Sequence, residues 1–400
     1  MKRMGNKELE KLNKELNARL GMENINATKS TENPERTGDG AADQRVKRAS
    51  ALRKVKKKEK KRFRVWKAVL AVMILLIVVV IGVFFVLRQL GKQSLLRHES
   101  LEDIQITAPD GAKVEDSGQT VTYQGKKYRR NEAVTSILCM GVDREALERE
   151  DDVIGDNGQA DTLFVAALDT ETGNMTLVNF SRDSMVDVDV YNIQGGYVET
   201  KQMQLCLAYA YGDGKEKSCE NEIKSVSRLL YGMPIDAYAA IDLPAVSVLN
   251  DAIGGVDVDV LEDLSSQDPA LVQGAHVLLR GNQAEIYVRS RDHENVDANN
   301  SRMTRQRQYL TNFIAKTLSQ TRKNLSVPLT LYDAVTAYMV TDISAPEVTY
   351  LASLLLQGSF GSQNIVTIPG EVKMGEEYAE YYVKEEALYQ IILDVFYKPV

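Results

Sequence analysis

Five arginines fall between Tyr287 and Gln308, in Tyr-Val-Arg-Ser-Arg, a polar loop, and then Ser-Arg-Met-Thr-Arg-Gln-Arg-Gln. In an extended segment Arg289 and Arg291 share one face, because side chains alternate with period two. Arg302 and Gln306 stand four apart near the start of an expected helix, with Arg305 beside them. A helix start favours acidic residues, since its free N–H groups and dipole are partly positive. Arginines crowded there repel unless an anion joins them, and planar guanidiniums suit phosphate or pyrophosphate. A solvated basic face accounts for the helix alone equally well. The helix together with the Arg289 and Arg291 pair favours an oxyanion site.

Three strand ends carry further charged groups. An apolar strand over Thr135–Met140 runs into Gly141-Val142-Asp143-Arg144, the kind of strand end that presents a carboxylate in a crevice. Ala160-Asp161-Thr162 opens a strand over Leu163–Leu168, which the turn Asp169–Asn174 joins to Thr176–Phe180 as a hairpin. The second strand leads into Ser181-Arg182-Asp183-Ser184, so the hairpin register brings Asp161 and Arg182 to one edge. Two carboxylates from separate strands, Asp143 and Asp161, can share a Mg²⁺ ion that also binds phosphate oxygens. For any single Asp, capping a turn is the commoner role.

The elements that must position these groups alternate between helix and strand. Helical spacing covers Ser218–Tyr231, Pro244–Ile253 and Arg302–Leu318, where Leu310, Phe313, Ile314 and Leu318 form a core stripe. Gly281–Tyr287 also reads as helix, which puts Arg289 and Arg291 just past its end. Further helices are expected at Tyr332–Met339, Pro346–Leu356 and Glu385–Phe396, with strands at Ala237–Ile241, Val256–Val260 and near Ile365–Ile368. The fold class is α/β, a central mixed sheet sandwiched between helices and preceded by one transmembrane helix.

The net charge of −7 hides a division. Residues 1–67 hold 21 Lys and Arg against 9 Asp and Glu; the other 28 basic and 47 acidic residues leave residues 68–400 at −19. An acidic body argues against nucleic-acid binding, and an arginine cluster inside it points to a local site for a small anion. Residues 1–67 read as a disordered basic cytoplasmic tail, and Ala68–Leu87 as twenty uncharged residues, enough to cross about 30 Å of hydrocarbon at ~1.5 Å per residue. The basic run on the N-terminal side places the tail in the cytoplasm and the rest outside the cell membrane, as a single-pass protein. Residues 88–132 read as a stalk and lead-in with a small hairpin near Thr120–Tyr123, and residues 133–400 as the folded domain. The three histidines lack metal-ligand spacing, and no phosphate-binding loop, nucleophile elbow or dinucleotide fingerprint occurs. Cys139 sits in a core strand, while Cys206 and Cys219 flank a polar loop and are candidates for a disulfide.

The motifs Gly141-Val142-Asp143-Arg144, Ala160-Asp161-Thr162, Ser181-Arg182-Asp183, Asp251 to Val256, Tyr287 to Arg291 and Arg302 to Gln306 together resemble the LytR-CpsA-Psr family. That resemblance implies a phosphotransferase moving a glycopolymer from a polyprenyl-pyrophosphate carrier to peptidoglycan. It implies Mg²⁺ on Asp143 and Asp161, and phosphate contacts from Arg182, Arg289, Arg291, Arg302 and Gln306. Arg182, Arg289 and Arg291 are the expected catalytic groups, and Arg305 is counted with the pyrophosphate-binding set. It also implies an apolar channel for the prenyl tail, in contact with membrane lipid. Three positions depart from the family pattern: Gln159 replaces an arginine, Gln204 a lysine with Lys201 nearby, and Asn299 an acid with Asp297 nearby. An amide cannot accept a proton as a carboxylate does, so the general base is left open. The alternatives are a polyprenyl-pyrophosphate phosphatase and a non-catalytic lipid-binding regulator of the cell envelope.

Overall fold

The computed structural model describes residues 81–95, 104–144, 153–155, 157–290, 298–375 and 378–400, with isolated positions 50, 73 and 79; for residues 298–300 it describes the backbone alone. The expected basic tail, most of the expected membrane span 68–87, and Arg291 lie outside the described residues. Among those described, no helix is long and apolar enough to cross a membrane. The architecture below belongs to the unit Val78–Val400.

In chain order, β1 (Ala112–Glu115), β2 (Thr120–Tyr123) and β3 (Lys126–Arg130) form an antiparallel meander. It contains the small hairpin expected near Thr120. Next come β4 (Val134–Val142), β5 (Ala160–Asp169) and β6 (Met175–Phe180), then a hairpin of β7 (Met185–Tyr191) and β8 (Tyr197–Gln204). Helix α1 (Glu216–Leu229), β9 (Ala237–Ile241), α2 (Leu243–Ala252), β10 (Val256–Asp259) and β11 (His276–Leu279) follow. Then come α3 (Asn282–Arg289), α4 (Ala298–Lys323), α5 (Val327–Val335), β12 (Met339–Thr341), α6 (Ala345–Leu355) and β13 (Ile365–Thr367). The chain ends in a hairpin of β14 (Gly370–Met374) and β15 (Ala379–Val383), helix α7 (Glu385–Phe396) and β16 (Tyr397–Pro399), which pairs with β3.

The central sheet is mixed, in the order β12-β9-β4-β5-β6-β13. Strand β4 runs parallel to β9 and antiparallel to β5, and β6 runs antiparallel to β5 and parallel to β13. Alternation along the strands divides the core. Leu138, Met140, Val165, Val178 and Tyr238 face one side, where Ile223 and Val226 of α1 and Leu388, Ile392 and Phe396 of α7 cover them. Ile137, Ala166, Leu168, Leu177 and Ala237 face the other, under Tyr350, Leu351 and Leu354 of α6. Both faces are therefore sealed by helices, as a mixed sheet rich in apolar residues requires. Each leucine, isoleucine, valine, methionine or phenylalanine among them contributes about 1.5–3 kcal/mol when fully buried.

A third cluster holds the arginine-bearing segment in place. Ile253, Val256, Val258, Leu279, Ala284, Tyr287, Tyr309 and Leu331 unite α2, α3, α4, α5 and the β10 and β11 hairpin. Helix α2 starts where Asp242 accepts a hydrogen bond from the Ala245 amide at 3.2 Å, with Pro244 in its first turn. It ends at Gly254 and Gly255, whose φ values of +74° and +83° only glycine adopts readily.

Candidate functional site

The geometry of the site follows from strand register. Phe180 lies opposite Leu163, so the chain leaving β6 carries Arg182 alongside Asp161 near the start of β5. Their side chains form an ion pair, and Arg182 Nε lies 3.3 Å from Asp183 Oδ1. Strand β4 pairs with β5 through a bulge at Gly141 and Val142, and beyond it the Asp143 amide donates to the Gln159 carbonyl at 3.0 Å. Asp143 thereby arrives at the same sheet edge as Asp161.

Helix α3 supplies the facing wall. Asn282, Glu285, Ile286 and Arg289 follow one another at helical spacing and line the crevice, while Ala284 and Tyr287 turn into the third core cluster. Arg289 bridges the two walls, with Nη2 3.2 Å from Asp143 Oδ1 and Nη1 3.4 Å from Glu285 Oε1. The crevice encloses about 910 Å³, within the range of ordinary small-molecule sites. Asp143, Asp161, Arg182, Arg289 and Arg302 all line it, as do Gln159, Gln267 and Ser290. Gly158 also lines it, at φ +82°, and a Cβ there would meet Arg144 Cγ and Cδ at 2.7 Å. Two requirements, left-handed backbone and close approach, thus select glycine at this point.

The expected residues divide. Arg182, Arg289, Arg302, Asp143 and Asp161 come together. Arg305 does not join them: it is 0% exposed, lies 3.1 Å from Glu262, and donates to the carbonyls of Tyr287 and Ser290. Gln306 donates to the Val288 carbonyl at 3.0 Å. These carbonyls belong to or follow the last turn of α3, where helix geometry leaves acceptors unsatisfied. Arg305 and Gln306 therefore fasten α4 to α3 rather than reach the crevice. Arg289 itself is the last residue of α3, not part of an extended strand, so the expected two-residue alternation with Arg291 does not apply.

The positions that depart from the family pattern are also placed. Gln159 lines the crevice. The Gln204 side chain donates to Asp183 Oδ1 at 3.3 Å and to the Ala379 carbonyl at 2.7 Å, tying the β8 end to β15. Lys201 is exposed on β8, and the side chain of Asn299 lies outside the described residues. Cys206 and Cys219 are free buried thiols, which corrects the expected disulfide. Burial pushes the Cys206 thiol up to about 12 against the opposing pull of Arg182.

Residues not singled out from sequence include Glu285, Asn282, Gln267 and Ser290. A signal existed for Glu285, which stands four residues before Arg289 in a segment whose spacing already reads as helix. Gln267 sits in the loop between β10 and β11 and accepts a hydrogen bond from Ser290, a contact no local pattern announces.

The chain and its fold have relatives. The chain is 28% identical over 286 residues to a polyisoprenyl-teichoic acid–peptidoglycan teichoic acid transferase, TagU, of Enterococcus faecalis, covering 70% of this chain and 86% of that protein. It is 29% identical over 230 residues to the cell wall biosynthesis protein LcpA of Corynebacterium glutamicum, spanning 54% of this chain and 43% of that one. The crystal structure of Bacillus subtilis TagV superposes with a TM-score of 0.51 at 21% identity, over 66% of this chain and 96% of that one, and shares its fold. A Streptococcus agalactiae protein does so with a TM-score of 0.52 at 22% identity, over 66% and 86%. The model of the LytR_cpsA_psr family matches residues 100–394, most of the chain, and the protein belongs to that family.

Proposed function

We propose that this protein is a membrane-anchored phosphotransferase that takes a glycopolymer from a polyprenyl-pyrophosphate carrier and joins it to peptidoglycan. The observation that carries this reading is the convergence of Arg182, Arg289 and Arg302 with Asp143 and Asp161 on one crevice of about 910 Å³. The teichoic acid transferase named among its relatives supports the polymer class. The twenty-residue uncharged stretch 68–87 behind a basic flank supports an anchor that keeps the domain near a lipid carrier.

The donor set fits Mg²⁺. Among the described residues no cluster of three or more His, Cys, Asp or Glu side chains stands ready for a metal. Two carboxylates, Asp143 and Asp161, share the crevice, and Mg²⁺ is held in phosphoryl-transfer sites by one or two carboxylates plus substrate oxygens. Bound there, the ion would neutralise charge on the diphosphate.

The chain's own groups would do the rest. Arg182 and Arg289 present forked donors to phosphate oxygens, and Arg302, 8% exposed, adds a cation from the crevice wall. Each of the first two pairs with an aspartate here, so the crevice holds balanced charge until a dianion and a cation divide the pairs between them. Phosphoryl transfer depends chiefly on such positioning and charge stabilisation. The acceptor hydroxyl attacks the phosphorus bearing the sugar, and polyprenyl phosphate leaves.

The test is transfer by full-length protein in liposomes supplied with polyprenyl-pyrophosphate-linked polymer, peptidoglycan and Mg²⁺. Polymer covalently attached to peptidoglycan is the expected product. Release of free polymer phosphate alone would make the protein a phosphatase, and binding without turnover would make it a lipid-binding regulator.

A further inference from the structure

We infer that Glu285 is the general base of this site, accepting the proton of the attacking hydroxyl; this deepens the transferase reading and rests on it. Among the described residues, the carboxylates lining the crevice are Asp143, Asp161 and Glu285. Asp161 is locked against Arg182, and Asp143 lies 3.2 Å from Arg289. Both belong to the pair assigned to the cation. Glu285 has the loosest partner of the three, Arg289 Nη1 at 3.4 Å, within its own helix.

The neighbouring polar groups cannot take the role. Gln159 lines the crevice as an amide, and Gln204 is held by Asp183 and the Ala379 carbonyl. His276 is exposed and engaged with Asp259 on the β10 and β11 hairpin. Arg182, Arg289 and Arg302 are cations with no basic form near neutral pH. The charged groups facing Glu285 across the crevice are thus Asp143 and Asp161 from the sheet, Arg182 from the turn after β6 and Arg302 from α4.

Position favours it as well. Glu285 and Arg289 stand one helical turn apart on the same face of α3, so the residue that grips the phosphate also fixes where the carboxylate points. A hydroxyl oriented for attack on phosphorus beside Arg289 would lie next to the Glu285 oxygens. In the step itself, a bond forms between the hydroxyl oxygen and the sugar-bearing phosphorus. The bond from that phosphorus to the bridging oxygen breaks, and its electron pair leaves on polyprenyl phosphate. The hydroxyl proton passes to the Glu285 carboxylate and then to solvent.

The experiment uses the full-length protein in liposomes and compares wild type with Glu285→Gln, Glu285→Ala and Arg289→Ala. Glu285→Gln should lower kcat by about 10²–10⁴-fold. Affinity for the polyprenyl-pyrophosphate substrate should stay within about threefold by the same token, since an uncharged isostere leaves the arginines in place. Added formate should restore part of the activity of Glu285→Ala. Activity of Glu285→Gln near wild type, or a loss confined to substrate affinity, overturns the assignment while leaving the transferase reading intact, provided that Arg289→Ala is inactive. Failure of the wild-type protein to attach polymer at all overturns both.

Discussion

The Arg289 guanidinium stands 3.2 Å from the Asp143 carboxylate, joining the last turn of α3 to the end of β4 across 146 residues of sequence. Both side chains are about half exposed, at 55% and 44%. An ion pair so placed is worth only about 0–1 kcal/mol to the fold. Its significance in the proposed reaction is chemical, since it holds the guanidinium proposed to bind phosphate beside the carboxylate proposed to hold the cation. Arg289→Ala should therefore lower polymer transfer by at least about 10²-fold while leaving the thermal unfolding midpoint within a degree or two of wild type. Transfer assays and calorimetry on one preparation decide it; a variant that unfolds early would show that the pair is structural after all.

Asp143 and Asp161 lead to a prediction about metal. Chelation by EDTA should stop transfer, and Mg²⁺ should restore it. Asp143→Asn and Asp161→Asn should each raise the Mg²⁺ concentration needed for half-maximal rate by at least about tenfold. Undiminished turnover in EDTA would remove the cation from the scheme and leave the arginines to stabilise the diphosphate alone.

Arg302 and Arg305, one helical turn apart on α4, should behave oppositely. Arg302 lines the crevice, so Arg302→Ala should weaken substrate binding. Arg305 is fully buried, with Glu262 and two backbone carbonyls as partners. Removing it leaves those acceptors unsatisfied and should cost on the order of 3 kcal/mol of stability. Urea denaturation of the two variants separates the roles: a stable Arg305→Ala with impaired binding would return that residue to the phosphate site.

That contrast marks how far the sequence could be read. The turn Asp169–Asn174 fixes the hairpin register, and register alone brings Asp161 to Arg182, so this half of the site was legible from local pattern. The α/β sandwich was legible too, because Leu138 and Met140 alternate with Ile137 and Cys139 toward two different helical layers. Whether an arginine on α4 faces the crevice or the neck of α3 depends on how two helices pack, and spacing within one helix carries no such information. In the β7 and β8 hairpin, β7 carries a strand pattern in Met-Val-Asp-Val-Asp-Val-Tyr that was passed over. Its partner gives no such signal: residues 197–202 of β8 are all exposed, so that strand lacks the apolar alternation that announces most strands.

The cysteines give a chemical check. Cys139, Cys206 and Cys219 are free in the structure, and burial raises the thiols of Cys139 and Cys206 to about 12. Denatured, non-reduced protein should titrate three thiols per chain, and the native protein should react slowly with alkylating reagents at neutral pH. A count of one would show that two of the three cysteines are paired, against the free thiols of the structure.

Glu222 should make stability depend on pH in an unusual direction. It is 0% exposed on α1, and among the described residues neither carboxyl oxygen has a hydrogen-bond partner of ordinary geometry, the Tyr209 amide giving a partial offset. Burial pushes its pKa well above the usual carboxylate range. Between the unfolded value and the raised folded one, the native state binds the extra proton, so this group's contribution falls as pH rises. The slope for one such proton is about 1.4 kcal/mol per pH unit. Glu222→Gln removes the titration and keeps the shape. Its stability relative to wild type should therefore increase from pH 5 to pH 8, by up to that slope, in urea denaturation followed at each pH. Parallel curves would mean that the carboxyl titrates alike in the folded and unfolded chain, which would overturn the raised pKa.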